Sequence, residues 1–116
     1  MREAVHYFIA AVQARPKNIK SWDALIAALF VSGQFKEAQK QVEMARNQPV
    51  NKTMIDYYDS AILLSMGKII PGLDLLEHSI EAQPRLLKKF LKLYPSSVKF
   101  PQVVELILKY KRKKRI

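Results

Sequence analysis

Two glycines, Gly33 and Gly67, lie 34 residues apart in this chain of 116 residues. Each follows a stretch in which apolar residues recur at steps of three and four, the spacing that places them on one face of an α-helix. A second amphipathic stretch comes after each glycine. The pattern predicts a helix, a turn and a second helix, repeated with the period of a helical repeat array. This period constrains the fold most, because each unit can bury its apolar face only against its neighbours.

The unit between residues 19 and 45 is the most complete. The apolar face of its first helix is formed by Trp22, Leu25, Ile26 and Leu29. A matching stripe follows the turn and comprises Ala38, Val42 and Ala45. Asn18 precedes the first helix, where its side-chain oxygen can accept a hydrogen bond from a free backbone N–H. Pro49 follows the second helix, which proline seldom continues. We therefore expect two closely packed helices with defined ends.

Further helices are predicted on both sides of this unit. The preceding one carries Ala4, Phe8, Ala11 and Val12. After the unit, Asn51 is placed to cap a helix over residues 52–66, which Gly67 ends in a left-handed conformation. Pro71 is tolerated in the first turn of the next helix, over residues 72–83, because a backbone N–H has no helical partner there.

Both ends of the chain depart from this pattern. The N-terminal stretch corresponds to a second helix without a first, so part of its apolar face lacks a partner. We expect either a longer chain upstream of Met1 or a homodimer through this helix to cover it. After Pro84, a short amphipathic helix is stopped by Pro95, and a last helix begins at Pro101. The outer faces of these helices are polar, which is typical of the terminal cap that a repeat array needs for solubility.

The most complete unit resembles a tetratricopeptide repeat. Six residues fall on that family's Trp, Leu, Gly, aromatic, Ala and Ala positions, namely Trp22, Leu25, Gly33, Phe35, Ala38 and Ala45. The matches one period earlier are Ala4, Phe8, Ala11 and Pro16, and one period later Gly67 and Pro84. The later repeat has Gly72 in place of Ala, and Asp56 and Asp59 in place of large apolar residues. A rotated first helix or a one-residue slip after Pro49 would accommodate these departures.

The resemblance implies an all-α fold, an α-solenoid of antiparallel helix pairs wound into a right-handed superhelix. A single domain is expected over residues 1–116. It divides into an incomplete repeat over residues 1–16 and two repeats over residues 19–49 and 52–84. A degenerate capping helix pair with a basic tail follows over residues 85–116. The last of these looks like the closing helices of some bacterial multi-repeat proteins. The chain is therefore expected to be the C-terminal part of a longer array.

In this family the first helix of each pair lines a concave groove that binds proteins. The positions carried over are Lys20, Asp23, Ala27, Phe30, Met54, Tyr57, Ala61 and Leu64. Most are apolar, which favours an extended peptide or an amphipathic helix as the partner. The alternative is that these side chains pack between repeats. The carboxylate clamp that some family members use is not expected, because its Lys and Asn positions hold Asp23, Ala27, Tyr57 and Ala61.

The positive charge is concentrated near the C-terminus. Residues 1–84 hold nine Lys/Arg and nine Asp/Glu, whereas residues 85–116 hold eleven Lys/Arg against Glu105 alone. The basic tail consists of Lys109, Lys111, Arg112, Lys113, Lys114 and Arg115. Such a run can bind RNA, DNA or acidic lipid. It is also compatible with a solvated helix end, where cations favour the negative pole of the helix dipole.

No set of catalytic or metal-binding residues stands out. The chain has no cysteine, and His6 and His78 lie far apart in the sequence. The i,i+3 carboxylate pairs are more typical of solvated helix faces than of acid–base sites. We therefore expect a non-catalytic protein–protein interaction scaffold without a cofactor. The alternatives are a binder of anionic surfaces through the basic tail, or an accessory domain of a larger enzyme.

Overall fold

A computed structural model describes residues 2–114, with side chains described over residues 4–112. It contains seven α-helices in this part of the chain: α1 Arg2–Ala14, α2 Ile19–Val31, α3 Phe35–Arg46, α4 Lys52–Ser65, α5 Ile69–Ala82, α6 Leu87–Leu93 and α7 Pro101–Lys114. Two short 3-10 helices, Pro84–Leu86 and Pro95–Lys99, precede α6 and α7. The described residues include no β-strand. The predicted all-α class is confirmed.

The predicted caps are confirmed in their hydrogen bonds. The Asn18 side chain accepts a bond from the Lys20 N–H at 3.0 Å, and the Asn51 side chain accepts one from the Met54 N–H at 3.1 Å. Gly33 and Gly67 have φ angles of 77° and 81°, which an L side chain rarely adopts. The same pair of backbone hydrogen bonds follows the end of each helix. Both turns therefore end a helix in the left-handed manner that their glycines permit.

The helices pack mainly on their neighbours along the chain. Contacts join α1 to α2, α2 to α3, α3 to α4 and α4 to α5, while α6 packs on α4 and α7 packs on α5. One continuous core results, which runs from Val5 in α1 to Val103 in α7. In α1, Val5 and Val12 are buried and Tyr7 is exposed. Homodimerisation through this helix stays a prediction.

The buried face of α4 is displaced by one residue from that of α2. Trp22, Leu25 and Leu29 of α2 correspond to Ile55, Tyr58 and Ile62, which lie 33 positions later and are buried. With this displacement, Asp56 and Asp59 lie at the edge of the core. The carboxylates therefore occupy the border between α4 and the preceding helix.

Arg46, at the end of α3, binds both of these carboxylates. Its Nη1 lies 2.6 Å from Asp56 Oδ1 and its Nη2 lies 2.8 Å from Asp59 Oδ2. The three side chains are only 30%, 20% and 15% exposed, respectively. Burial raises the pKa of the Asp59 carboxyl, and the hydrogen bond and charge of Arg46 oppose that rise. We call these three residues the Arg46 cluster; it connects one predicted repeat to the next.

Helices α4 and α5 approach each other closely at Gly72. The Ser60 hydroxyl donates a hydrogen bond to the Gly72 carbonyl oxygen at 3.1 Å. A Cβ atom added to Gly72 would lie 2.9 Å from Leu64 Cγ and 3.2 Å from the Leu64 backbone nitrogen. Leu64 is itself buried, so it has little room to move. A glycine at this position is therefore matched to the close contact.

We expect Gly72→Ala to lower the free energy of unfolding by about 1 kcal/mol. The steric cost of overpacking, about 1–3 kcal/mol, exceeds the gain of about 1 kcal/mol from replacing glycine inside a helix. Urea denaturation followed by circular dichroism measures the difference. In a Leu64→Ala background the same change should be neutral or stabilising. An equal loss in both backgrounds would mean that Leu64 does not set the cost.

Candidate functional site

A groove of about 570 Å3 lies between α2 and α6. Its lining comprises Lys20, Asp23, Ala24, Ala27, Val31, Tyr58, Lys89, Lys92 and Leu93. Alanines and aliphatic side chains provide most of the apolar surface, and three lysines contribute positive charge. We call this feature the α2–α6 groove. Its composition suits a segment of polypeptide with both apolar and acidic side chains.

Helix α2 supplies one wall through the face opposite its buried side. Lys20, Ala24, Ala27 and Val31 recur at steps of three and four, so they form a continuous stripe along the helix. Trp22 and Leu29 hold the other side of α2 in the core. The stripe is therefore presented by a helix that is fixed on its opposite face.

Helix α6 supplies the other wall and is fixed by aromatic packing. The Phe90 ring lies 6.0 Å from that of Tyr57 and 6.3 Å from that of Tyr94. Tyr94 also packs edge-on against Phe30, with ring centroids 5.2 Å apart. These distances are typical of stabilising aromatic pairs. With Phe90 directed inward, Lys89 and Lys92 line the groove.

The acidic group in the groove is engaged within the protein. The Tyr58 hydroxyl donates a hydrogen bond to Asp23 Oδ1. Burial raises the pKa of Asp23, while the Tyr58 bond and the charge of Lys89 oppose the rise. Across the described side chains, neither Lys20 nor Lys92 forms an ion pair. The groove therefore offers cationic groups that are available to a ligand.

The structure divides the predicted groove residues into two sets. Lys20, Asp23 and Ala27 line the α2–α6 groove. The others are buried, namely Phe30, Met54, Tyr57, Ala61 and Leu64. The Tyr57 hydroxyl donates to the Gln83 carbonyl oxygen at 3.0 Å, and its ring packs on Phe90. In this structure these five side chains belong to the core instead of forming an accessible surface. Tyr57 packs on Phe90 of α6, Phe30 packs on Tyr94, and Leu64 lies against Gly72 of α5.

Sequence reasoning missed the contribution of α6. Lys89, Lys92 and Leu93 were expected on a capping helix, and the structure places them in the groove. The i,i+3 spacing of the two lysines indicates one shared helix face. It does not indicate that this face lies opposite α2, since that depends on the packing of Phe90.

The basic tail is only partly described. Lys109 forms an ion pair with Glu77 of α5 at 2.8 Å, which raises the pKa of Lys109. Lys111 and Arg112 are exposed on α7. The side chains of Lys113 and Lys114, and the whole of Arg115, lie outside the described residues. The first cation of the tail thus anchors α7 to α5.

The described part of the chain shows neither a metal-binding cluster nor a membrane-spanning helix. His6 and His78 are both exposed, and no three His, Asp or Glu side chains there are grouped so as to hold a metal ion. No helix in the same range is long and apolar enough to span a bilayer.

No family model, curated protein or solved structure matches this chain. The α2–α6 groove is therefore interpreted from its own geometry.

Proposed function

We propose that this protein is a non-catalytic interaction scaffold that binds a peptide or short helix of another protein in the α2–α6 groove. The observation that carries the proposal is an apolar trough between α2 and α6, lined by lysines of which Lys20 and Lys92 form no ion pair with any described side chain. Apolar surface supplies most of the affinity in such sites, and charged groups at the rim select the partner and accelerate association.

The repeat pattern supports a tetratricopeptide-like arrangement. Helices α3 and α5 begin at Phe35 and Ile69, 34 residues apart, and the two preceding glycines share a positive φ. We propose that α2 with α3 and α4 with α5 form antiparallel pairs of a right-handed solenoid. The groove then lies on the side formed by the first helices of successive pairs.

The charges in the groove favour a partner segment that combines acidic and apolar residues. Asp23 is bound by Tyr58, whereas Lys20, Lys89 and Lys92 line the same space. Carboxylates of a ligand would meet these ammonium groups, and its apolar side chains would contact Val31 and Leu93. The positive charge of these lysines would repel basic segments.

A displayed library of random peptides tests the proposal. We expect the wild type to enrich peptides with acidic and apolar residues, and Val31→Asp or the pair Lys89→Glu and Lys92→Glu to weaken the selected peptides tenfold or more, about 1.4 kcal/mol. Val31 is 67% exposed, so its replacement should not disturb the core.

Matched controls lie elsewhere on the surface. Ile70 is 72% exposed and serves as the control for Val31, with Ile70→Asp expected to bind like the wild type. Lys36→Glu with Lys40→Glu controls for the loss of positive charge. Selection without a recurring pattern, or an equal loss in the control variants, would rule out the groove as the binding site.

A further inference from the structure

Helix α7 carries apolar side chains on two sides. The inward side packs against the core through Val103, Leu106, Ile107 and Tyr110. On the outward side, Val104 and Leu108 are exposed, and Lys111 and Arg112 follow one turn later. Leu108 and Arg112 also border a cleft toward α5 that contains Glu105. At about 100° per residue, these four outward residues fall within an arc of about 100°. We call them the outer stripe.

The fold does not account for the outer stripe. Single exposed aliphatic residues are common on protein surfaces, but here two successive turns of one helix expose an aliphatic residue and the next turn exposes two cations. The 3-10 helix before α7 adds exposed Val98 and Lys99. Apolar side chains that can bury at the headgroup boundary, together with Lys and Arg that can contact anionic lipids, are the groups by which helices bind a membrane surface.

We propose that the outer stripe binds the surface of an anionic lipid bilayer, with α7 lying parallel to the membrane plane. Val104 and Leu108 would insert at the boundary between headgroups and acyl chains. Lys111 and Arg112 would contact the acidic headgroups, and the positive charge of residues 85–116 would add long-range attraction. This surface is separate from the α2–α6 groove, because none of its residues lines that groove.

The same residues are poorly suited to nucleic acid. Binding of single strands relies on aromatic side chains that stack on bases, and Tyr110, the aromatic residue within the tail, is half-buried and packs against the core. Aliphatic side chains cannot replace it in this role. Nucleic acid would therefore contact the cations alone and gain nothing from Val104 and Leu108.

Co-sedimentation with vesicles distinguishes binding to an anionic bilayer from binding to nucleic acid. The full chain is mixed with vesicles of phosphatidylcholine, with or without phosphatidylserine, and with a single-stranded RNA oligonucleotide in a parallel assay. We expect binding only where phosphatidylserine is present. Val104→Gln with Leu108→Gln should weaken it roughly tenfold, and Lys111→Gln with Arg112→Gln roughly thirtyfold, since each cation contributes about a factor of five.

Matched variants on other helices control for hydrophobicity and charge. Met44 is 48% exposed, as is Leu108, so Met44→Gln with Ile70→Gln tests whether any exposed apolar residue matters. Lys36→Gln with Lys40→Gln tests whether any cation matters. Both pairs should retain wild-type binding, and each variant is accepted only if its circular dichroism matches the wild type. If the double variant Val104→Gln with Leu108→Gln does not fold, the single variant Leu108→Gln is used in its place.

A fluorescent probe reports insertion directly. The chain contains no cysteine, so Leu108→Cys provides a single position for a polarity-sensitive dye. We expect its emission to shift to shorter wavelength with anionic vesicles, and the same dye on Met44→Cys to remain unchanged. Unaltered vesicle binding by the apolar pair, equal binding to neutral vesicles, no vesicle binding, or binding to RNA alone would each overturn the proposal.

Discussion

Trp22→Ala is expected to lower the free energy of unfolding by about 3–5 kcal/mol, the usual cost of truncating a large buried aromatic side chain. Trp22 is almost fully buried at the start of α2, and its indole N–H donates a hydrogen bond to the Pro16 carbonyl oxygen at 2.7 Å. The side chain therefore fixes both the core and the connection to α1. The expected loss of free energy is a large fraction of the total stability of many small domains, which is about 5–15 kcal/mol.

Urea denaturation followed by circular dichroism measures this change, because the substitution removes the single tryptophan and with it the fluorescence signal. Trp22→Phe is the matched control, since it retains an aromatic ring but loses the hydrogen-bond donor. It should cost less than Trp22→Ala and leave the chain folded. A cost below 1 kcal/mol for Trp22→Ala would contradict the packing described for α2.

Arg46→Met should cost about 2–3 kcal/mol. Removing one partner of a buried ion pair leaves an uncompensated charge, which typically costs 3–5 kcal/mol. The exposure of the Arg46 cluster, 15–30% for its three side chains, reduces that value because solvent screens the remaining carboxylates. Methionine keeps much of the apolar length of arginine, so the change reports mainly on charge. The same denaturation measurement applies.

The cost of Arg46→Met should depend on pH. Burial already raises the pKa of Asp59, and removal of Arg46 raises it further, above the value in the unfolded chain. The folded variant then binds a proton more readily than the unfolded chain does, so its stability increases as pH falls through that interval. We expect a larger cost at pH 7 than near pH 4.

A second substitution tests the origin of this pH dependence. Arg46→Met combined with Asp59→Asn should recover part of the lost stability at pH 7, since the amide carries no charge. Lys40→Met on the exposed side of α3 serves as the control and should change stability by less than about 0.5 kcal/mol. A cost that stays constant from pH 4 to pH 7 would be evidence against charge as its cause.

The ends of the helices were largely predictable because local groups determine them. Asn18 and Asn51 cap through hydrogen bonds to nearby N–H groups, and Gly67 adopts a conformation that its missing Cβ permits. The prediction for α5 was less accurate. It placed the start at residue 72, whereas α5 begins at Ile69, because Pro71 is compatible with several positions in the first turn.

The candidate site was harder to predict because it depends on contacts between distant segments. The period identifies which residues of α4 belong to a first helix, but it does not identify what covers them. Tyr57 is covered by Phe90, a residue of the segment in which the repeat pattern weakens. The same packing brings Lys89 opposite α2. The burial of Tyr57 and the placement of Lys89 in the groove both depend on the position of the short helix α6.

The packing of helices α1 to α5 on their neighbours along the chain has a mechanical consequence. A pulling force applied to the two ends crosses the interfaces one after another, whereas in a sheet many hydrogen bonds resist together. Because each unit contacts mainly its neighbours, each interface can yield by itself. These helices should therefore separate in small steps at low tension and pack again when released.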